Sequence, residues 1–390
     1  MEFMQLPNGT ANFQPRPAIH ELLAPTAARS TTVQVEGFRL LHRDRPDELS
    51  RDCELLGRSR GCNAEPVYSE EADMSNGVDA KIAAILPLLP LKDGANLTAK
   101  RARDELVALA DSRKAVPLPQ PATVEDILVE GAAGSIPARM YRASSTASAF
   151  VIFFHGGGWV AGDLYTHDRN ARALALALDA VVLSIDYRRP PEVRFPGAFD
   201  DAIAATRWAE RNVDRLGCDA RRLAVAGDSA GGQLAASVAL ACRDGGPPLK
   251  AQLLVYPATD VAGAYKSPVE NAKYPSRGLN AQGYFLTMDA MRFFAGQYLS
   301  TESDGDDWRV SPLKATSLQG LPPTVICTAE FDPLRDEGEA YANALRDAGV
   351  EVAHFREPSM IHGYFGLGAM SPAAESARLR ACAAFKQMLI

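Results

Sequence analysis

From residue 122 onward the chain repeats one pattern: a short, almost wholly apolar run, a break, then a helical stretch. The runs "VEDILVE", "IPARMYR", "AFVIFFH", "AVVLSIDY", "RLAVAGD", "QLLVYP", "TVICTAE" and "VEVAHFREP" predict eight strands. Between them "RNARALALAL", "FDDAIAATRWAERNV", "AGGQLAASVALACR" and "RDEGEAYANALRDA" read as helices, and "AAESARLRACAAFKQML" closes the chain. Strands that are apolar on both faces need cover on both faces, and helices interposed between mostly parallel strands supply it. The expected class is α/β, with an eight-stranded, mostly parallel sheet and helices on both faces.

Two regions depart from this rhythm. Upstream, Val78, Ile82, Ile85, Leu86 and Leu89 share one helical face, and a second helix is expected after Thr98 with Leu106 and Leu109 inward. These helices are either a packing layer or a lid over a site. About fifty residues separate "QLLVYP" from "SPLKA", and connections of that length usually carry structure or function of their own. Within it, "GYFLTMDAMRFFAGQYL" suits an apolar pocket wall or an amphipathic packing helix. Residues 1–75 mix Pro, Arg, Ser and acidic residues with brief apolar clusters. They are expected to be a poorly structured N-terminal extension, the alternatives being packing on the main domain or a natural start at Met74. The expected organisation is therefore 1–75 as extension, 76–120 as N-terminal cap helices, and 121–390 as the main domain with an insertion at about 260–305.

Lys and Arg number 41 against 48 Asp and Glu, a net charge of −7 without any long basic run. Nucleic acid is accordingly not an expected partner. The opening residues lack a basic leader, and no apolar run reaches the roughly 18 residues of a membrane span, so a cytoplasmic protein without membrane contact is expected. The six cysteines, Cys53, Cys62, Cys218, Cys242, Cys327 and Cys382, are scattered without C-x-x-C pairs. Reduced thiols are expected, with Cys53 and Cys62 a weak exception that has no His near enough to suggest zinc.

The stretch "LAVAGDSAGGQLAASVALA" runs as a buried strand to Gly227-Asp228-Ser229-Ala230-Gly231 and restarts as a helix of small residues. A bare G-x-S-x-G occurs by accident in roughly one chain in ten of this length. Set between a strand and a helix, however, it makes a tight turn that lifts the Ser hydroxyl above the sheet edge. Such a hydroxyl is a poor nucleophile until a base takes its proton, and that base needs an acid to hold its tautomer. Only His354 and His362 lie downstream of Ser229. His354 sits within an alternating strand, whereas His362 follows it in the loop "SMIHGYF" and is the candidate base. Asp332, just past "TVICT" and before Pro333, is the candidate acid. Asp260 is the alternative on the preceding strand, and Glu330 and Asp336 read as local hydrogen-bonding residues. "AFVIFFHGGGWVAG" places Gly156, Gly157 and Gly158 directly after a strand, where their amides could turn inward and act with Ala230 as oxyanion donors. His155 is read as ordering that loop. Trp159 is a candidate pocket wall, as are Tyr256 and Phe285. Asp228 carries no reading beyond a local hydrogen bond.

Taken in order, "HGGGW", "GDSAGG", "EFDPLRDEG" and "MIHGYF" strongly resemble the bacterial hormone-sensitive-lipase family of carboxylesterases. The likeness covers about residues 78–390, through "GDLYTHDRNARALA", "FPGAFDDAIAATRWA" and "SPLKATSLQGLPPTVICTAEFDPL". It implies the α/β-hydrolase fold, a triad of Ser229, Asp332 and His362, and an oxyanion hole made by the amides of Gly157, Gly158 and Ala230. It also implies a helical cap formed by the N-terminal segment and the insertion after the sixth strand, and a homodimer through the last strand. The implied activity is hydrolysis of small-molecule esters with short to medium acyl chains through an acyl-enzyme, with no cofactor and no metal. An amidase or arylformamidase on the same machinery is the runner-up. A non-catalytic receptor is disfavoured because all three triad positions are filled. The chain departs from the family at Tyr187-Arg188-Arg189-Pro190-Pro191-Glu192, where Tyr-Arg-Leu-Ala-Pro-Glu is usual, and at Gln233, where Asn is common. The added "KYPSRGLNAQ" lengthens the insertion.

Overall fold

The computed structural model describes residues 77–89 and 94–390. The expectations for residues 1–75, including Cys53 and Cys62, lie outside the described residues. The strands are β1 (Thr123–Gly131), β2 (Gly134–Arg142), β3 (Phe150–Phe154), β4 (Val181–Ile185), β5 (Leu223–Asp228), β6 (Ala251–Val255), β7 (Thr324–Phe331) and β8 (Val352–Ile361). They form one sheet in the order β1-β2-β4-β3-β5-β6-β7-β8. β2 pairs antiparallel with β1 and β4, and all the remaining pairs are parallel.

Every residue of β3, β4, β5 and β6 is buried, which is why these runs are continuously apolar rather than alternating. One face of the sheet, carrying Phe150, Ile152 and Phe154, packs with α4 (Gly197–Asn212), α5 (Ala230–Arg243) and α9 (Arg335–Asp347). The other, carrying Val151 and Phe153, packs with α3 (Asp168–Leu178) and α10 (Pro372–Met388). Cys218, Cys242, Cys327 and Cys382 are buried free thiols. Burial pushes Cys242 and Cys382 up to about 12, which keeps them protonated and unreactive.

Upstream of the sheet lie α1 (Ala80–Ile85) and α2 (Ala99–Asp111). The helical face expected to run through Leu89 breaks after Ile85 into a 3₁₀ turn, Leu86–Leu88. Pro87 is the cause, since it has no N–H to continue the α-helical ladder. Thr98 caps α2 by accepting from the Arg101 amide at 3.1 Å. The connection between β6 and β7 carries α6 (Pro268–Asn271), α7 (Ser276–Leu279) and α8 (Met288–Tyr298). Among the described residues, no helix is long and apolar enough to cross a membrane.

One half-buried histidine of the frame should make stability depend on pH. His354 lies beside Ile326 in the β7–β8 ladder, its Nε2 3.0 Å from Thr328 Oγ1. Burial, with Arg346 and Arg356 nearby, pushes it down to about 4. An unfolded chain protonates this side chain near about 6.5, so its contribution is intact above that pH and is lost as pH falls from about 6.5 toward the folded value. Urea unfolding at neutral and at mildly acidic pH should show a smaller acid-induced loss for His354→Gln than for the parent chain. Equal losses would remove His354 as a source.

Candidate active site

At the end of β5 the chain turns through Ser229, whose φ of 56° and ψ of −121° are unusual for a residue with a side chain. Such a conformation costs on the order of 1–3 kcal/mol and persists only where its surroundings hold it. Here the Ser229 amide donates to Val255 O at 2.8 Å, and α5 starts at once with Ala230. A Cβ on Gly227 would overlap the Gly231 carbonyl, and one on Gly231 would overlap the Phe154 carbonyl. The two glycines are therefore required by the close crossing of β5, α5 and the end of β3.

His362 follows the last residue of β8, and Asp332 follows the last residue of β7. His362 Nε2 lies 2.8 Å from Ser229 Oγ, and His362 Nδ1 lies 2.7 Å from Asp332 Oδ2. A carboxylate only accepts, so Nδ1–H donates to Asp332 and Nε2 is left to accept the Ser229 proton. Asp332 is fully buried, and its other oxygen accepts from the Leu334 amide at 2.8 Å. Of the alternatives, Asp260 accepts from Tyr274 Oη at 2.8 Å and from the Ala262 amide at 3.1 Å, with no bond to His362. Glu330 is paired with Arg335 and Arg356, and Asp336 accepts from the Ser276 amide.

The added segment in the insertion is docked on this acid-bearing loop. Asn280 Nδ2 donates to Glu330 O at 3.0 Å and to Asp332 O at 3.1 Å, while Ser276 Oγ donates to Pro333 O at 2.9 Å. Arg277, 2% exposed, pairs with the fully buried Glu337 at 2.5 Å and lies over the rings of Tyr265 and Tyr274. Removing one partner of such a pair strands a buried charge, at a cost of about 3–5 kcal/mol.

The glycine loop differs from its expected form in one respect. The Gly156 amide donates to Asp228 Oδ1 at 3.0 Å and does not face the cavity as an open donor. Gly157 and Gly158, with φ of 117° and 60°, line the cavity together with Ser229 and Ala230. A Cβ on Gly157 would overlap the Ala161 carbonyl, and one on Gly158 the Phe294 ring. Asp228, unassigned from sequence, thus ties the serine turn to the glycine loop across 72 residues. No local pattern could reveal that partner, because the contact exists only once β3 and β5 are neighbours. His155 Nδ1 donates to Gly156 O at 2.8 Å, and its ring stacks on Tyr187 at 4.3 Å. Complete burial holds its pKa well below the ordinary histidine value, so it stays neutral.

Trp159, Tyr256 and Phe285 all line the same cavity of about 110 Å³, alongside Leu106 of α2 and Met291 of α8. The Tyr256 ring centroid is 4.6 Å from that of His362, and the Phe285 centroid is 6.4 Å from it. Trp159 Nε1 donates to Gln233 Oε1 at 2.9 Å, and Gln233 donates in turn to Arg309 O at 2.7 Å. The Gln at this position therefore reaches both the pocket wall and the chain before β7. Arg113 and Asn170 also line the cavity, and nothing in their local sequence marks them.

Comparison with known proteins bears out the fold. Residues 151–366 match the family model Abhydrolase_3, described as an α/β-hydrolase fold. Esterase LipI of Mycobacterium tuberculosis is 36% identical over 333 residues, spanning 83% of this chain and 99% of the relative. Carboxylic ester hydrolase LipN of the same organism is 45% identical over 263 residues, or 65% of this chain and 68% of the relative. An esterase of Pyrobaculum calidifontis superposes with a TM-score of 0.72 at 36% identity, covering 80% of this chain and 99% of the other. A thermostable esterase from Pseudomonas putida does so with a TM-score of 0.74 at 37% identity, covering 81% and 99%.

Proposed function

Because the chain belongs to the hormone-sensitive-lipase family of α/β-hydrolases and is a carboxylic ester hydrolase, we propose that Ser229, His362 and Asp332 carry its reaction on short- to medium-chain esters. The observation that supports this most is the unbroken pair of hydrogen bonds from Ser229 Oγ through His362 to Asp332, at 2.8 and 2.7 Å. His362 Nε2 takes the Ser229 proton as Oγ bonds to the acyl carbon, and the carbonyl π electrons move onto oxygen. The amides of Gly157, Gly158 and Ala230 stabilise that oxyanion, with the N-terminus of α5 adding its dipole. Collapse breaks the ester C–O bond, and His362 protonates the departing alcohol. Water, losing its proton to His362, then attacks the acyl-enzyme. The acid leaves, and His362 returns the proton to Ser229.

The helices of residues 76–120 and 260–305 act as a cap over this site. Leu106 and Leu109 from α2 and Met291 and Phe294 from α8 line the same cavity as Ser229. A roofed apolar cavity receives a short acyl chain whole, whereas a long chain must leave part of its length unburied. Rates for p-nitrophenyl esters from acetate to laurate should peak toward the short end and fall at the long end. A rate that keeps rising to laurate overturns the chain-length reading. An organophosphate should label the chain stoichiometrically at the peptide holding Ser229, and label at another residue overturns the nucleophile.

A further inference from the structure

We propose that the end of the cavity formed by Arg113 and Asn170 beside Gly366 is a subsite for a carboxylate carried by the ester substrate. This rests on the reading of Ser229 as nucleophile in the same cavity. Arg113 stands just past the end of α2 and is 8% exposed. Its Nε donates to Leu109 O at 3.2 Å and its Nη1 to Gly366 O at 2.6 Å. Nη2 has no hydrogen-bond partner, and no Asp or Glu pairs with this guanidinium, among the described residues. Burial, with the cation of Arg169 nearby, pushes Arg113 down to about 10, still protonated at neutral pH. A buried cation without an anion is costly, and the usual resolution is a partner of opposite charge.

A second, independent observation lies beside Arg113. Asn170, on α3, lines it too, and its side-chain amide makes no hydrogen bond among the described residues. A Cβ at Gly366 would sit 3.3 Å from Asn170 Nδ2 and 3.5 Å from Arg113 Nη1. The two head groups therefore lie side by side against Gly366, where any side chain would crowd them, and both line the cavity. A guanidinium edge and an amide N–H₂ match the lone pairs of one carboxylate. The cavity's own acid, Asp228, is already engaged, accepting from Gly156 and lying 3.7 Å from His167 Nε2. The substrate class is thus an ester with a free carboxylate, on either the acyl or the alcohol side of the scissile bond.

The test compares each acid with its methyl-capped, neutral counterpart: monoethyl adipate against ethyl methyl adipate for the acyl side, and an acetoxyalkanoate against its methyl ester for the alcohol side. In the parent chain at least one acid should have the higher kcat/KM of its pair. Arg113→Met should lower that acid-to-neutral ratio by about ten- to a hundredfold, the size expected for a charge-assisted hydrogen bond. Arg113→Lys should recover part of it, and Asn170→Leu should lower it less. Adipate itself should compete with a neutral ester in the parent chain, a measurement that needs no variant. The subsite is overturned if both acids are poorer than their capped forms and adipate does not compete, or if Arg113→Met leaves the ratio unchanged. Failure of the nucleophile reading looks different, since neutral esters would then be hydrolysed by Ser229→Ala.

Discussion

Ser229→Ala should lower kcat for p-nitrophenyl butyrate by about a million-fold, as loss of a triad nucleophile does in other serine hydrolases. The reason is specific to this geometry. Ser229 Oγ is the atom 2.8 Å from His362 Nε2, and without it no acyl-enzyme forms. The substitution changes little else, because the turn is held by the Ser229 amide bonded to Val255 O and by the glycines on either side. The variant should therefore unfold in urea at nearly the parent midpoint. What remains is the contribution of substrate binding and of the amides of Gly157, Gly158 and Ala230, about 10³- to 10⁴-fold over water. Steady-state activity above about one percent of the parent value, in protein shown free of contaminating esterase, would sink the assignment.

Asp332→Asn is the second large effect, a loss of about 10⁴-fold in kcat. Asp332 accepts on both oxygens, from His362 Nδ1–H and from the Leu334 amide. An amide presents one oxygen and one N–H₂, so one of these two donors must meet another donor. If the N–H₂ faces His362, Nδ1 becomes the acceptor and the ring proton moves to Nε2, where it can no longer take the Ser229 proton. If the oxygen faces His362, the Leu334 amide is left unpaired inside a buried loop, at about 1–3 kcal/mol of stability. Neutral Asn also removes the charge that stabilises the imidazolium. Comparing kcat with the urea midpoint separates the two orientations. A loss below about tenfold would show that another group orients His362, because a misplaced tautomer alone is worth far more.

Much of the frame was legible because it is written over short distances. The apolar runs of β3 to β6 identify strands buried on both faces, and Thr98 marks the start of α2. Pro87 is a local signal of the opposite kind: it ends α1 early, although Leu89 beyond it is still buried. The residues that meet in the hydrogen-bonded chain were also legible, because a turn of small residues and two loops at strand ends are local features. Position in a loop separated His362 from His354, and the end of β7 separated Asp332 from Asp260.

What only the tertiary structure decided are the pairings between distant residues. Ser229 and His362 are 133 residues apart, and their 2.8 Å contact depends on the order in which β5 to β8 lie in the sheet. The Gly156 amide is taken by Asp228, Gln233 reaches both Trp159 and Arg309, and Asn280 fastens the insertion to the backbone of Asp332. The placement of Arg113 and Asn170 in one cavity belongs to the same class. By itself the sequence determined the elements, their order and the residue types at their ends, since periodicity and turn chemistry act over a few residues. It did not determine which amide is already bonded or which cation lacks an anion, because those depend on what strands and helices far apart in the chain bring within about 3 Å of one another.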